Sequence, residues 1–107
     1  MSGSFGEMGN LLAQAQEMDK RVREALEELA EARIDGTAGG GVVGATVDGL
    51  GVVQGVHVSD EALRGTDRAG IEEMLVVALK DAQARAKRQR EERMTKVTGG
   101  VQLPWVS

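Results

Sequence analysis

The chain has 107 residues and a net charge of −4; 41% of it is hydrophobic but only 2% aromatic, with one Phe, one Trp and no Tyr. A domain of this length hides about two-thirds of the surface its unfolded chain would expose. Its apolar residues are chiefly Ala and Val, so a lone protomer has a thin core and a second copy is expected to complete the burial. The absence of cysteine excludes disulfide scaffolds, thiolate metal sites and cysteine nucleophiles. No apolar run approaches the ~20 residues of a membrane span. The opening Met1-Ser-Gly-Ser-Phe-Gly-Glu7 lacks the plan of a signal peptide, so a cytoplasmic location with no membrane partner is expected.

The charge is unevenly placed. Residues 1–35 carry eight acids and four bases, and residues 36–79 carry six and two. Residues 80–107 carry three acids and seven bases, a local excess that implies one basic surface on an otherwise acidic chain.

The first element reads as an amphipathic helix from about Asn10 to Arg33, with Leu11, Ala15, Met18, Val22, Ala25 and Leu29 spaced by fours and threes and Leu12 and Leu26 widening the stripe. Ser4 and Glu7 fit a capping box, but Gly6 and Gly9 weaken the first turn, so residues 1–9 are expected to be a flexible tail. Ile34-Asp-Gly36 stops the helix. Glu17/Arg21, Asp19/Arg23 and Lys20/Glu24 sit four apart as helix-supporting pairs.

The middle reads as β. Val43, Ala45 and Val47 alternate with Gly44, Thr46 and Asp48, Asp48-Gly49 signals a tight turn, and a second strand follows from Val52 to Val58. Arg33 to Thr37 adds a short strand, giving a small antiparallel meander with one apolar face. Ser59-Asp-Glu-Ala-Leu-Arg-Gly65 reads as a capped helical turn.

The closing helix is expected from about Asp67 to Lys96, with Asp67 as N-cap and its bases toward the negative C-terminal end. Its stripe is Ile71, Met74, Leu75, Ala78, Leu79, Ala82 and Ala86. Gly99-Gly100 ends it, and 101–107 is expected to be a second flexible tail of a single domain spanning 1–107. Continued past Ala86, the seam reaches Gln89, Arg93 and Lys96, with Arg85 and Arg90 at its margins. Such a seam resists burial without partners. The last three turns are therefore expected to leave the globular body as a basic arm, from which Arg90 and Arg93 can be removed without cost to the fold.

Candidate chemistry is sparse. Gly39, Gly41 and Gly44 fit G-x-G-x-x-G with Asp60 downstream, but a dinucleotide site needs that motif to open a helix, and here a strand follows; a hairpin loop is expected instead. His57 is alone between Val56 and Val58 and should point to solvent. Glu27-Glu28 and Glu72-Glu73 are adjacent on helices and diverge by about 100°. No catalytic residue, metal site, cofactor or small-molecule ligand is expected. In the run Arg85 to Arg93, Asp81/Arg85, Lys87/Glu91 and Arg88/Glu92 can neutralise one another, whereas Lys80, Arg90 and Arg93 have no acid three or four residues away.

The order of motifs resembles the YbaB/EbfC family over about residues 8–104. Met8-Gly-Asn-Leu-Leu-Ala-Gln-Ala-Gln-Glu-Met18 resembles its opening helix, and Ile34 to Val43 with Ala45-Thr-Val-Asp-Gly49 its strand, glycine loop and strand. Val56-His-Val-Ser59 and Met94-Thr-Lys-Val-Thr-Gly-Gly-Val-Gln-Leu-Pro104 resemble the motifs that follow. The resemblance implies an α+β protomer of order α-β-β-β-α, a tweezer-like homodimer, and a non-enzymatic, nucleoid-associated protein that binds double-stranded DNA with weak or no sequence specificity. It assigns DNA contact to Arg85, Lys87, Arg88, Arg90, Arg93 and Lys96, and secondarily to Lys20, Arg21 and Arg23. Gly44, Gln54 and Gly55 replace strand bases common in the family, which leaves the closing helix as the main electrostatic contact. The alternative is an adaptor whose charged helical arms dock a protein partner.

Overall fold

A computed structural model describes residues 2–100, with side chains from residue 6. Helix α1 (Ser2–Glu31) leads into strand β1 (Ile34–Ala38), a glycine turn, strand β2 (Val43–Val47) and strand β3 (Val53–Val58). A short helix α2 (Asp60–Gly65) and the long helix α3 (Arg68–Thr98) follow. The strands form one antiparallel sheet in the order β1-β2-β3. The fold is thus α+β with the expected order of elements, drawn out to 78 × 19 × 16 Å.

The alternating pattern of the strands sets the core face. Ile34, Gly36 and Ala38 lie opposite Val47, Ala45 and Val43, and all six are buried beneath α3. Ala78, Ala82 and Ala86 of α3 are fully buried on this face. Side chains that small let the helix backbone come down onto β1. A Cβ on Gly36 would stand 2.8 Å from the Cα of Ala82, and closer still to the Ala82 nitrogen and the Ala78 oxygen. Only glycine fits there.

Helix α3 crosses β1 and β2 and barely reaches β3. Val56 lies opposite Ala45, on the core side of the sheet, yet it stays 56% exposed; Val53 is exposed as well. His57 lies opposite Gly44 on the other face and is exposed, as its alternation required.

The local signals for caps are met. Ser59 Oγ accepts from Ala62 N at 3.1 Å, and Asp67 Oδ1 from Gly70 N at 2.8 Å, each satisfying an orphan N–H of the first helical turn. Gly99, at φ 63°, closes α3 in the left-handed conformation, its N–H donating to Thr95 O. Gly39, Gly40 and Gly41, all at positive φ, make a tight turn that delivers the chain into β2 and not into a helix.

Three boundaries differ from the sequence expectation. Helix α1 opens at Ser2, so Ser4 lies inside it and not ahead of it as a cap. Gly6 and Gly9 each cost roughly 0.5–1 kcal/mol in a helix, but the Leu, Ala, Gln and Met residues that follow are strong helix formers. Second, Asp48-Gly49 is not a two-residue turn. Buried Asp48 accepts from Leu50 N at 2.8 Å and Val52 N at 3.0 Å, which spreads the connection over Asp48 to Val52 and moves the positive φ to Gly51. Gly49 is needed for a close approach: its N–H donates to Leu29 O at 2.7 Å, and a Cβ there would lie 2.6 Å from that oxygen.

The third correction concerns the closing helix. Its last turns do not leave the body. They pack antiparallel on the C-terminal half of α1, where Met94 joins Val22, Ala25 and Leu29 in a second core cluster, flanked by Met18, Leu26 and Val97. The buried positions run 78, 82, 86, 94 and 98, with half-buried Arg90 completing the series of fours. Four residues exceed a turn, so each step rotates the row by about 40°. The heptad-like continuation through Gln89 and Lys96 was the wrong period.

Gly36→Ala should lower the unfolding free energy by about 1–3 kcal/mol, the usual cost of overpacking, when measured by chemical denaturation. Gly55→Ala is the control: it lies in β3 with nothing within 4 Å of its would-be Cβ, and its stability should stay within about 1 kcal/mol of the parent chain.

Candidate nucleic-acid interface

The buried row of α3 changes partners at Arg90. Ala86, one turn before it, lies in the cluster beneath the sheet, and Met94, one turn after it, lies in the cluster with α1. Arg90 stretches its stem across this junction and donates from Nη1 to Gly49 O at 3.1 Å. The same Gly49 donates its N–H to Leu29 O, so Arg90 ties α3 to the β2–β3 loop and, through it, to the end of α1. One turn further, Arg93 pairs with Glu28 of α1. Both arginines lacked an acid nearby in the sequence; each finds its partner across the fold.

Beside this junction runs a charged groove. Its upper part is lined by Arg33, Ile34, Asp35, Arg85, Arg88, Gln89 and Glu92. Two neighbouring depressions share residues with it, one on α3 alone, past Arg88, Glu91, Thr95 and Lys96, and one between α1 and α3, past Glu28, Ala32, Arg93 and Lys96. Five bases meet there, Arg33, Arg85, Arg88, Arg93 and Lys96, interleaved with Asp35, Glu28, Glu91 and Glu92. Arg33 is the base that sequence reasoning passed over. It sits 52 residues before Arg85 in a helix-to-strand junction, and only the packing of α3 on β1 brings the two together. Its Nη1 donates to Ala30 O and Ala32 O, which anchors it at the end of α1.

The local pairs sort the remaining bases. Arg85 Nε donates to Asp81 Oδ1 at 3.1 Å, and Asp81 Oδ2 accepts the free N–H of Thr37 on the edge of β1 at 3.0 Å. The Thr37 hydrogen bond, then those from Arg85 and the nearby charge of Arg88, hold the Asp81 carboxyl below its ordinary value of 3.8, against a smaller opposing effect of desolvation. This contact is intact above pH 3.8 and is lost as the pH falls through the lowered value.

Lys87 lies 4.0 Å from Glu91, at the limit of an ion pair, and both are exposed. Arg88 and Lys96 have no ion pair among the described residues, and neither does Lys20. Arg21 pairs with Glu17 at 3.4 Å, and Arg23 pairs with Asp19. A seven-residue spacing puts Arg21 on the face of α1 that carries Glu28, whereas Lys20 and Arg23 turn away from it. The structure therefore gathers Arg85, Arg88, Arg93 and Lys96 around the groove and places Arg21 on the face leading to it. It leaves Lys87, Lys20 and Arg23 outside and uses Arg90 as a structural tie.

Among the described residues no helix is long and apolar enough to cross a membrane, and no three His, Asp or Glu side chains are grouped to hold a metal ion. What the arrangement offers is an open surface on which guanidinium and ammonium groups alternate with carboxylates. The elongated α+β protomer with a charged helical groove defines a class of small helix-and-sheet scaffold. The model of the YbaB/EbfC DNA-binding family matches residues 5–101, nearly the whole chain, and the protein belongs to that family. A crystal structure of an uncharacterized protein from Helicobacter pylori has the same fold, with a TM-score of 0.70 at 24% identity over 89% of this chain and 97% of that one.

The two structural arginines should separate in a stability assay. Arg90→Ala removes a charged hydrogen bond from a half-buried site and should cost about 1.5–3 kcal/mol. Arg93→Ala removes an exposed pair and should cost less than about 1 kcal/mol. Thermal unfolding followed by circular dichroism orders the two.

Proposed function

We propose that the protein is a nucleoid-associated DNA-binding protein that acts without catalysis, as a homodimer, on double-stranded DNA with weak or no sequence preference. The observation that carries this reading is the convergence of Arg33, Arg85, Arg88, Arg93 and Lys96 on one groove of an acidic chain, in a member of a DNA-binding family. Guanidinium and ammonium groups that meet phosphates release condensed counterions, which supplies affinity without reading bases. On this reading the affinity comes from phosphate contacts.

The homodimer is supported by the apolar surface that one protomer leaves open. Val53 and Val56 on the core side of β3 are exposed, and so is Val76 of α3. Val76 stands on the side of α3 that faces the β2–β3 loop, where Gln83, two turns on, donates to Gly51 O at 3.2 Å. A second copy laid over β3 covers valines that α3 is too narrow to reach.

Lys80 is exposed on this same side of α3, which a second copy would cover, so it is a poor reference for the groove. Arg68, 93% exposed at the other end of the helix and paired with Glu72, is a cleaner reference. Arg88→Ala combined with Lys96→Ala should leave the melting temperature unchanged and weaken binding to a random-sequence duplex. The slope of log affinity against log salt should fall by about one unit per lost phosphate contact. Arg68→Ala should leave both affinity and slope as they were. Equal weakening by both changes would reduce the groove to diffuse charge, and no weakening by either would assign its mixed charges to a protein partner.

The assembly has its own test. Light scattering coupled to size exclusion should give about twice the 11.3 kDa chain mass, and Val56→Asp should halve it while sparing the protomer core, since Val56 takes no part in that core.

A further inference from the structure

The apolar stripe of α1 keeps a strict heptad. Met8, Leu11, Ala15, Met18, Val22, Ala25 and Leu29 follow one another by alternating steps of three and four, the repeat of a seam built to face another helix. Helix α3, whose own row runs in fours, covers the half from Met18 to Leu29 and ends at Thr98. From Gly6 to Glu17 every residue of α1 is exposed. There Met8 is 67% exposed, Leu11 64% and Leu12 60%, an apolar strip of the kind that marks an interaction surface.

We propose that a second copy of this chain covers the strip with its own α1, the two arms lying antiparallel about a two-fold axis near Ala13. The heptad sets this register. It puts Met8 level with the partner's Met18 and Leu11 level with the partner's Ala15. The two central layers thus each set a large side chain against a small one. Leu12, just beside the seam, meets the partner's Leu12 across the axis.

Charge selects the same arrangement. Between Gly6 and Glu17 the charged side chains are Glu7 and Glu17 alone, so the strip repels a polyanion and offers no base to an acidic partner. In the antiparallel register Glu7, one residue before Met8, stands beside the partner's Arg21, one residue before Val22, and the two-fold axis makes this pair twice. Arg21 is exposed and meets Glu17 through Nε at 3.4 Å; a guanidinium has five N–H donors, enough for a second carboxylate. A parallel pairing brings Glu7 beside the partner's Leu12 instead and leaves it without a base.

The strip and the β3 valines are separate surfaces, since Leu11 lies about 30 Å of helix before the end of α1, where the sheet begins. The arm contact does not rest on the homodimer proposed above. Where both act, two self-complementary contacts at separate sites string copies into an open row. The overlap has only four seam residues per arm and falls far short of a standard interface, so it forms at higher concentration than the β3 contact.

The chain has no cysteine, so engineered thiols report the register. Glu7→Cys and Arg21→Cys chains mixed under a mild oxidant should give the mixed disulfide, identified by its mass; parallel arms hold those positions about 21 Å apart along the axis. Leu12→Cys should cross-link to itself, and Ala13→Cys, on the opposite side of α1, should not. These cross-links should persist in chains that also carry Val56→Asp, and their loss there overturns the proposal. A Val56→Asp chain that stays dimeric until Leu11 and Leu12 are changed retires the β3 contact and leaves the arm contact standing. In sedimentation runs at rising concentration the parent chain should grow past the dimer. Leu11→Gln combined with Leu12→Gln should abolish that growth while circular dichroism and melting stay as they were. Glu7→Lys should raise its Kd roughly tenfold, two exposed pairs being lost at once, and Arg21→Glu in the same chain should restore it. No growth in the parent, growth that survives the double Gln change, a charge swap that restores nothing, or equal cross-linking at positions 12 and 13 overturns the proposal.

Discussion

The close seating of α3 on β1 is the contact on which the rest of the molecule depends. Gly36 has no side chain, and Ala78, Ala82 and Ala86 have one carbon each, so helix and strand backbones meet with almost nothing between them. A helix roughly 10 Å wide covers about two strands spaced about 4.8 Å apart. Set that low on β1, α3 also covers β2 and cannot extend over β3. The exposed valines of β3 thus follow from the same small residues that make the core.

The row of fours in α3 has a second consequence. Because it rotates as it descends, the helix meets the sheet first and α1 afterwards, and the residues between those two contacts end up beside the seam. This is why Arg88 and Lys96 flank a groove while Arg90, at the crossover, is drawn in to bind Gly49. The bases of the closing helix are one run in sequence and two populations in space. One part braces the junction of α3, the loop and α1, and the other faces solvent.

The net charge of −4 is a poor guide to what such a surface binds. Exposed charges beyond a Debye length of about 8 Å at physiological salt are largely screened, so a polyanion at the groove responds to the nearest groups. These are five bases and four acids drawn from three elements. The interleaved acids, and Asp81 paired with Arg85, lower the potential at those bases.

Much of the fold was legible because local rules decided it. Alternation placed β2 at Val43–Val47, Ser59 and Asp67 marked the starts of α2 and α3, and Gly99 marked the end of α3. The pairs Glu17/Arg21, Asp19/Arg23, Asp81/Arg85 and Lys87/Glu91 follow from helical spacing alone. The family resemblance was also written in the order of motifs. Tertiary structure decided what depends on partners distant in the chain. The pairing of Arg93 with Glu28 and of Arg90 with Gly49 joins residues 65 and 41 positions apart, and Arg33 reaches the groove only because α3 lies on β1. The end of α3 was misread for the same reason. Side-chain period tells which residues share a face, but a row spaced by fours changes its facing by about 40° per step, and only the position of α1 determines that Met94 and Thr98 are inside and Lys96 is not.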